Sequence, residues 1–161
     1  FAQGLEQMSM DSSLVPSRIS YCDNLILRSI RIANFSDFDG LVSHYKLCHN
    51  IPMNYACQVA SAHLGEENRN VCSTWIVLDR LEILSAITAY KFGSLGLISW
   101  LATCPNARRQ GIGGALLLHA FNSLKGRGVD VIELQALPQA THLYQEIFCQ
   151  LQDLVTMQWH P

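Results

Sequence analysis

The sequence contains few charged residues. Of its 161 residues only 15% are Asp, Glu, Lys or Arg, whereas 49% are hydrophobic, and the formal net charge is -2. This composition excludes intrinsic disorder, and the length suits one globular domain whose core needs no metal or disulfide to hold it together. A near-neutral chain also lacks the basic surface that general nucleic-acid binders present to phosphates, so we expect no nucleic-acid partner.

Long hydrophobic runs are absent as well. No apolar stretch approaches the length of about 18 residues that spans a bilayer, and no basic-then-apolar leader is visible. We therefore expect no membrane partner and a cytoplasmic location. Because the sequence starts at Phe1 rather than Met, we interpret it as a fragment of a longer chain.

The six cysteines form no C-x-x-C pair. Cysteines this far apart in a chain of this size indicate reduced thiols inside the cell rather than a disulfide framework. A zinc site deserves consideration because His44 and Cys48 are one helical turn apart. Structural zinc sites usually combine two tight ligand pairs joined by a loop, and that pattern is missing, so we expect no metal site. The other residues considered as ligands are His49, Cys57 and His63.

Hydrophobic periodicity and turn residues divide the chain into two parts. Residues 1–20 have no sustained period and are interpreted as a flexible N-terminal arm or linker, followed by one domain over 21–161. The elements alternate as in a mixed α/β domain without an internal repeat. Strands are predicted at 25–32, 72–78, 81–92, 97–103, 129–134 and 154–159, and helices at 38–48, 53–64, 112–125 and 141–151.

A glycine-rich turn follows the predicted strand at 97–103. Gly111, Gly113 and Gly114 stand where the next helix begins. The first N–H groups of a helix lack helical partners, and together with the helix dipole they can cradle a phosphate. Glycine keeps Cβ atoms away from a diphosphate, and Arg108 and Arg109 add positive charge. The residues alone also allow a structural interpretation, a glycine-rich helix start beside two solvated arginines.

Two common phosphate-binding fingerprints fit this turn poorly. A P-loop needs a Gly-Lys pair, and the sequence has none. A Rossmann fingerprint needs a glycine where Leu116 stands, and its glycines directly follow their strand, whereas seven residues separate Thr103 from Gly111. Glu133 would suit the ribose-binding acid of such a site, which leaves a dinucleotide ligand open.

Two sequence segments resemble motifs of one family. The run from Arg108 to Gly113, R-R-Q-G-I-G, resembles the R/Q-x-x-G-x-G/A motif of the GNAT (Gcn5-related N-acetyltransferase) superfamily, and L-A-T-C-P at 101–105 is similar to its L-A-V-x-P strand entry. Downstream, A-T-H-L-Y-Q-E-I at 140–147 resembles the family's A-x-x-L-Y segment. The resemblance implies a single-domain GNAT-like α/β fold. Its mixed, mostly antiparallel sheet is flanked by helices, and its fourth and fifth strands splay for CoA.

The resemblance implies acetyl-CoA as cofactor. By position, the end of the strand before the turn holds the pantetheine arm and acetyl carbonyl, and backbone N–H groups over 109–114 hold the pyrophosphate. Residues 83–129, which include this turn, carry five basic and no acidic side chains. That local charge suits a polyphosphate ligand. The cofactor-binding residues implied are Leu101, Ala102, Thr103, Arg108, Arg109, Gln110, Gly111, Ile112, Gly113 and Gly114.

The same resemblance suggests two catalytic residues. Tyr144 matches the tyrosine that protonates the departing CoA thiolate, a role that a phenol can perform. Glu133 falls where some members that acetylate protein N-termini carry a carboxylate, and it could deprotonate an ammonium directly or through water. Each also has a structural interpretation, a half-buried helix aromatic and a solvent-facing strand residue. His49 and His142 are further candidates for the base.

We therefore predict an acetyl-CoA-dependent N-acetyltransferase that acts by direct transfer, as a monomer or homodimer. The acceptor would be a primary amine on a peptide, a protein or a small molecule. The alternative is a non-catalytic acyl-CoA sensor, because Phe148-Cys149 replaces the family's usual Gly-Phe and the Asn that often precedes A-x-x-L-Y is missing. A thiol enzyme using Cys104 would require a positioned base, which the sequence does not identify.

Overall fold

The computed structural model describes residues 6–11, 29–136 and 156–159. Within these ranges the chain forms strands and helices joined by short turns, three of which are 3-10 turns. The strands are β1 (Glu6–Asp11), β2 (Ile30–Ile32), β3 (Cys72–Asp79), β4 (Glu82–Phe92), β5 (Leu95–Thr103), β6 (Val131–Ala136) and β7 (Thr156–Trp159). The helices are α1 (Phe38–His49), α2 (Met53–Leu64) and α3 (Ile112–Gly126).

All the described strands join one sheet in the order β2-β3-β4-β5-β6-β1-β7. Every neighbouring pair is antiparallel except β5 and β6, which run parallel. The parallel pair needs a crossover, and α3 supplies it between these two strands. The expected architecture, a mixed and mostly antiparallel sheet flanked by helices, is confirmed.

Apolar side chains alternate along the strands and fill a core on each face of the sheet. On one face the buried residues of β4, β5 and β6 pack with α3, and on the other those of β3 and β4 pack with α1 and α2. We call these the α3 core and the α1–α2 core. The α3 core includes Ile98, Leu116, Phe121, Ile132 and Leu134, and the α1–α2 core includes Leu41, Tyr45, Ala60, Ile76 and Ile83.

Local signals explain how α1 and α2 begin. Before α1, the Asn34 side chain accepts from the Ser36 N–H at 2.9 Å, and the Asp37 carboxylate accepts from the Asn34 N–H at 2.9 Å. This reciprocal arrangement is a capping box on the 3-10 turn Phe35–Asp37, which leads directly into α1. α1 stops at Asn50, which is left-handed at φ 51°, and Pro52 precedes the first residue of α2.

Most predicted elements are present within one or two residues of their expected ends. The helix at 53–64 is confirmed at both ends. Residues 6–11 belong to the segment interpreted as a flexible arm, but they form strand β1 between β6 and β7. The predicted element order does not contain this strand. The helix predicted at 141–151 lies outside the described residues, and the division at residue 20 stays a prediction. No helix among the described residues is long and apolar enough to cross a membrane.

Candidate active site

A wedge opens in the sheet between the two parallel strands. β5 and β6 are paired only from Leu95 opposite Val131 to Ile98 opposite Leu134. β5 continues to Thr103 without pairing to β6, and β6 continues to Ala136 paired with β1. The side chains of β5 from Ser99 to Thr103 are all half-buried. Among the described residues no strand pairs with this edge of β5 beyond Ile98, and such an edge presents backbone groups to a ligand in the wedge.

A β-bulge lies where β5 separates from β6. The pairing of β4 with β5 shifts register between Ala86 and Thr88, so that β5 carries one extra residue there. Trp100 at the bulge is left-handed, with φ 57°. A non-glycine residue held in that region stores about 1–3 kcal/mol of strain, which in proteins is concentrated at functional sites. The bulge bends β5 away from β6, and this explains why the two strands part.

The chain segment after β5 leads directly to the start of α3. Cys104 through Gly111 connect the two elements, and Gly111 begins the helix in a left-handed conformation at φ 77°. Arg109 is also left-handed, at φ 66°. The N–H of Ala115 donates to the Gly111 carbonyl at 3.0 Å, so helical bonding starts there and leaves the preceding N–H groups available. N–H groups in such an arrangement can bind an anion, and the cradle predicted for this turn stays a prediction.

Two arginines give the turn before α3 a positive charge. Arg108 and Arg109 are both exposed. Nε of Arg108 donates to the Thr103 carbonyl at 3.1 Å, which holds the turn against the end of β5. Arg108 therefore has a positioning contact that sequence reasoning did not predict, whereas the Arg109 side chain extends from a strained backbone toward solvent.

Aromatic and histidine side chains fill the other side of the bulge, next to α1 and α2. The Trp100 ring lies 4.9 Å from the His49 ring, 5.3 Å from Tyr45 and 5.7 Å from His63, centroid to centroid. Tyr90 completes this group, which we call the Trp100 cluster. Nε2 of His49 is buried and has no hydrogen-bond partner among the described residues. A polar atom buried without a partner is unusual in proteins, and such an atom can hydrogen-bond to a bound molecule.

His63 lies at the centre of a hydrogen-bonded triad in this cluster. Its Nδ1 is 2.6 Å from the Tyr45 hydroxyl and its Nε2 is 2.7 Å from the Tyr90 hydroxyl. Burial lowers the pKa of His63 to about 4, so the ring is neutral at pH 7. Burial raises the pKa of both tyrosines above their ordinary value, so both phenols stay protonated.

The depressed pKa of His63 predicts a loss of stability in mild acid. The unfolded chain binds this proton near pH 6.5 and the folded chain near pH 4, so the contribution is complete above pH 6.5 and falls as the pH is lowered toward 4. From pH 6.5 to pH 5 the contribution of His63 to the free energy of unfolding falls by about 1.5 kcal/mol. Urea unfolding over this range measures it, and His63→Gln should show a correspondingly shallower pH dependence. Equal slopes in the two proteins would show that His63 does not contribute.

Glu133 projects from β6 toward the same face as the Trp100 cluster. Its neighbours Ile132 and Leu134 are buried in the α3 core, and side chains alternate along a strand, so Glu133 points to the opposite side. Glu133 is half-buried. It is paired with Leu97 on β5, and Leu97 is paired with Tyr90 on β4. The Glu133 carboxylate therefore lies on the same face of the sheet as Tyr90 and Trp100. Strand β5 stands between β6, which carries Glu133, and β4, which carries Tyr90.

The remaining sequence candidates have different outcomes. Cys104 does have a base beside it, since its Sγ is 3.5 Å from Nδ1 of His44. However, Cys104 is only 8% exposed, and its thiol donates to the Ile83 carbonyl at 3.3 Å, which argues against a nucleophile that must reach substrate. Tyr144 and His142 lie outside the described residues. Sequence reasoning missed Trp100, Tyr90 and the strand register that brings them near Glu133.

Comparison with known proteins agrees with this geometry. Residues 40–148, about two thirds of the chain, match the Acetyltransferase (GNAT) family. A search of curated proteins finds no match.

Solved structures show the same fold. A GNAT-family protein from Novosphingobium aromaticivorans superposes with a TM-score of 0.62 at 13% identity, over 95% of this chain and 61% of that one, so the chain spans less than two thirds of that neighbour. A predicted acetyltransferase from Clostridium acetobutylicum, determined with acetyl-CoA, gives 0.61 at 20% identity, over 82% of this chain and 93% of that one. The aminoglycoside N-acetyltransferase AAC(6')-Iy in complex with CoA gives 0.62 at 12% identity, over 82% and 92%. With a family match over most of its length and the family's fold, the chain belongs to the GNAT acetyltransferase family.

Proposed function

We propose that the domain transfers the acetyl group of acetyl-CoA directly to a primary amine on a small molecule, peptide or protein. The observation that carries this proposal is the wedge between β5 and β6, which opens immediately before the cradle at the start of α3. A long ligand with a diphosphate at one end and a thioester at the other suits a slot of this kind. Two GNAT-fold neighbours were determined with acetyl-CoA or CoA.

The cofactor side is formed mainly by backbone groups. N–H groups from Arg109 to Gly114 would bind the diphosphate, with the α3 dipole and the exposed Arg109 adding favourable charge. The unpaired edge of β5 from Leu101 to Thr103 would align the pantetheine arm by strand-like hydrogen bonds. Acetyl-CoA supplies an activated thioester, and a backbone N–H at the bulge around Trp100 would stabilise negative charge on its carbonyl oxygen.

The acceptor side lies on the α1–α2 face. An amine must lose a proton before it can attack, and Glu133 is the half-buried carboxylate on this face of β6. The Trp100 cluster offers aromatic faces that attract a cationic amine before it is deprotonated. Nε2 of His49 could bind a polar group of the acceptor. In this scheme Tyr144 donates the proton that the leaving thiolate takes up.

Binding of acetyl-CoA is the first test. Isothermal titration should show one site per chain, and acetyl-CoA should raise the melting temperature. If titration gives no heat and melting does not shift, the proposal loses its central support. A panel of amines, assayed by release of free CoA thiol, then separates an enzyme from a sensor that binds acyl-CoA without turnover.

Removing the charge of Arg109 should weaken cofactor binding specifically. Arg109→Ala is expected to raise the dissociation constant of acetyl-CoA by about threefold to tenfold, because one exposed charge-assisted contact to phosphate is lost. The matched control is Lys125→Ala, which removes one exposed positive charge at the opposite end of α3. Titration at two salt concentrations completes the measurement, since the Arg109 effect should shrink as salt rises. Equal effects from the two variants would contradict this role for Arg109.

A further inference from the structure

Three potential metal ligands converge between α1 and the end of β5. His44 and Cys48 lie one turn apart on α1, and Cys104 directly follows β5. Nδ1 of His44 is 3.6 Å from Sγ of Cys48 and 3.5 Å from Sγ of Cys104. The two sulfur atoms are 3.7 Å apart. The three atoms form a nearly regular triangle that belongs to neither the cofactor wedge nor the Trp100 cluster.

These distances match one face of a tetrahedral zinc site. Zinc binds thiolate sulfur at roughly 2.3 Å and imidazole nitrogen at roughly 2.0–2.1 Å. With tetrahedral angles, those bond lengths give a sulfur–sulfur separation of about 3.8 Å and a nitrogen–sulfur separation of about 3.5–3.6 Å. The observed edges of 3.7, 3.6 and 3.5 Å leave room for the ion without moving the backbone.

The surroundings favour a bound cation over three unligated side chains. His44 is 3% exposed and Cys104 is 8% exposed, whereas Cys48 is half-buried. Within the described part of the chain the two thiols hydrogen-bond to each other, to the His44 ring and, from Cys104, to the Ile83 carbonyl, and thiols are weak donors. An imidazole nitrogen and two cysteine sulfurs are ligands that zinc prefers in proteins.

We propose that His44, Cys48 and Cys104 bind one zinc ion, with the fourth position open to water or another small ligand on the Cys48 side. Cys48 is the most exposed of the three, so the ion would enter past it. Bound zinc would tie α1 to the end of β5, five residues before Arg109. The expectation of no metal site considered His44 and Cys48 but not Cys104, which is 56 residues from Cys48 in sequence.

Metal titration of the full chain tests this proposal without any acetyltransferase assay. The protein is treated with a chelator under reducing conditions and titrated with Zn²⁺, and separately with Co²⁺ as a spectroscopic probe. We expect one ion per chain, release of two thiol protons per ion, and a sulfur-to-cobalt charge-transfer band in the near ultraviolet. Cys48→Ser should weaken that band and lower zinc affinity at least tenfold. Cys57→Ser changes a half-buried cysteine on α2, outside the proposed site, and should leave the band and the zinc affinity unchanged.

Two results would overturn the proposal. One is the absence of a thiolate-to-cobalt band in the reduced wild-type protein, and the other is a band that Cys48→Ser leaves intact. Because a serine at the buried Cys104 could prevent folding, X-ray absorption of the zinc-loaded wild type provides a measurement that needs no variant. It should find two sulfur neighbours and at least one nitrogen neighbour at the distances given above. A first shell without sulfur would exclude the site.

Discussion

Gly111→Val is expected to weaken acetyl-CoA binding by about 100-fold. Gly111 has φ 77°, a conformation that a β-branched residue adopts only at high cost, and it begins the helix whose first N–H groups form the proposed cradle. The substituted backbone must move out of the left-handed region and take those N–H groups out of line with a diphosphate. Titration calorimetry with acetyl-CoA measures the loss.

The matched control is Gly128→Val, just beyond the other end of α3. Gly128 is left-handed to the same degree, at φ 78°, and a Cβ there meets nothing within 4 Å. Both variants should lose about 2 kcal/mol of unfolding free energy from backbone strain, as measured in urea. Only Gly111→Val should lose cofactor affinity. If Gly128→Val weakens binding as much, the effect is general destabilisation and the cradle is not where the cofactor binds.

Tyr144→Phe is expected to lower kcat by about 100-fold with little change in acetyl-CoA affinity. The substitution removes only the hydroxyl, so a residue that protonates the leaving thiolate loses its proton donor and keeps its ring. Steady-state kinetics with the best amine found in the panel, together with a direct titration, measure the two effects separately. An unchanged kcat would remove Tyr144 from the mechanism.

The same assay distinguishes the proposed base from the proposed acid. The loss of rate in Glu133→Gln should shrink as the pH is raised, because more of the acceptor amine is then already neutral, whereas the loss in Tyr144→Phe should persist. A domain that binds acetyl-CoA but releases no free thiol with any amine would instead be the acyl-CoA sensor.

The sequence predicts those parts of this fold that depend on neighbouring residues. Helix 53–64 is bounded by Pro52 on one side and Gly65 on the other, and both ends are confirmed. The glycine-rich turn and its helix are also local, and Gly111 stands at the start of α3 as expected. In both cases the determining residues lie within one or two turns of the element.

Features that depend on distant pairing could not be predicted. Trp100 carries no sign in sequence that β5 will bulge there, because the register shift arises from pairing with β4. Cys104 approaches Cys48 only when α1 packs against the sheet. Strand β1, with the sequence EQMSMD, has few β-branched or aromatic residues, and its place depends on a partner at 131–136.

The position of β1 has a consequence for how the protein is made. Glu6–Asp11 is translated long before Val131–Ala136, its first partner, and β7 pairs only through β1. At roughly 5–20 residues per second, β1 must stay unpaired on the ribosome for on the order of 10 s before that partner emerges. A strand edge exposed for so long can pair with other chains before β6 emerges. β1 is thus translated well ahead of β6 and is among the last strands to be paired.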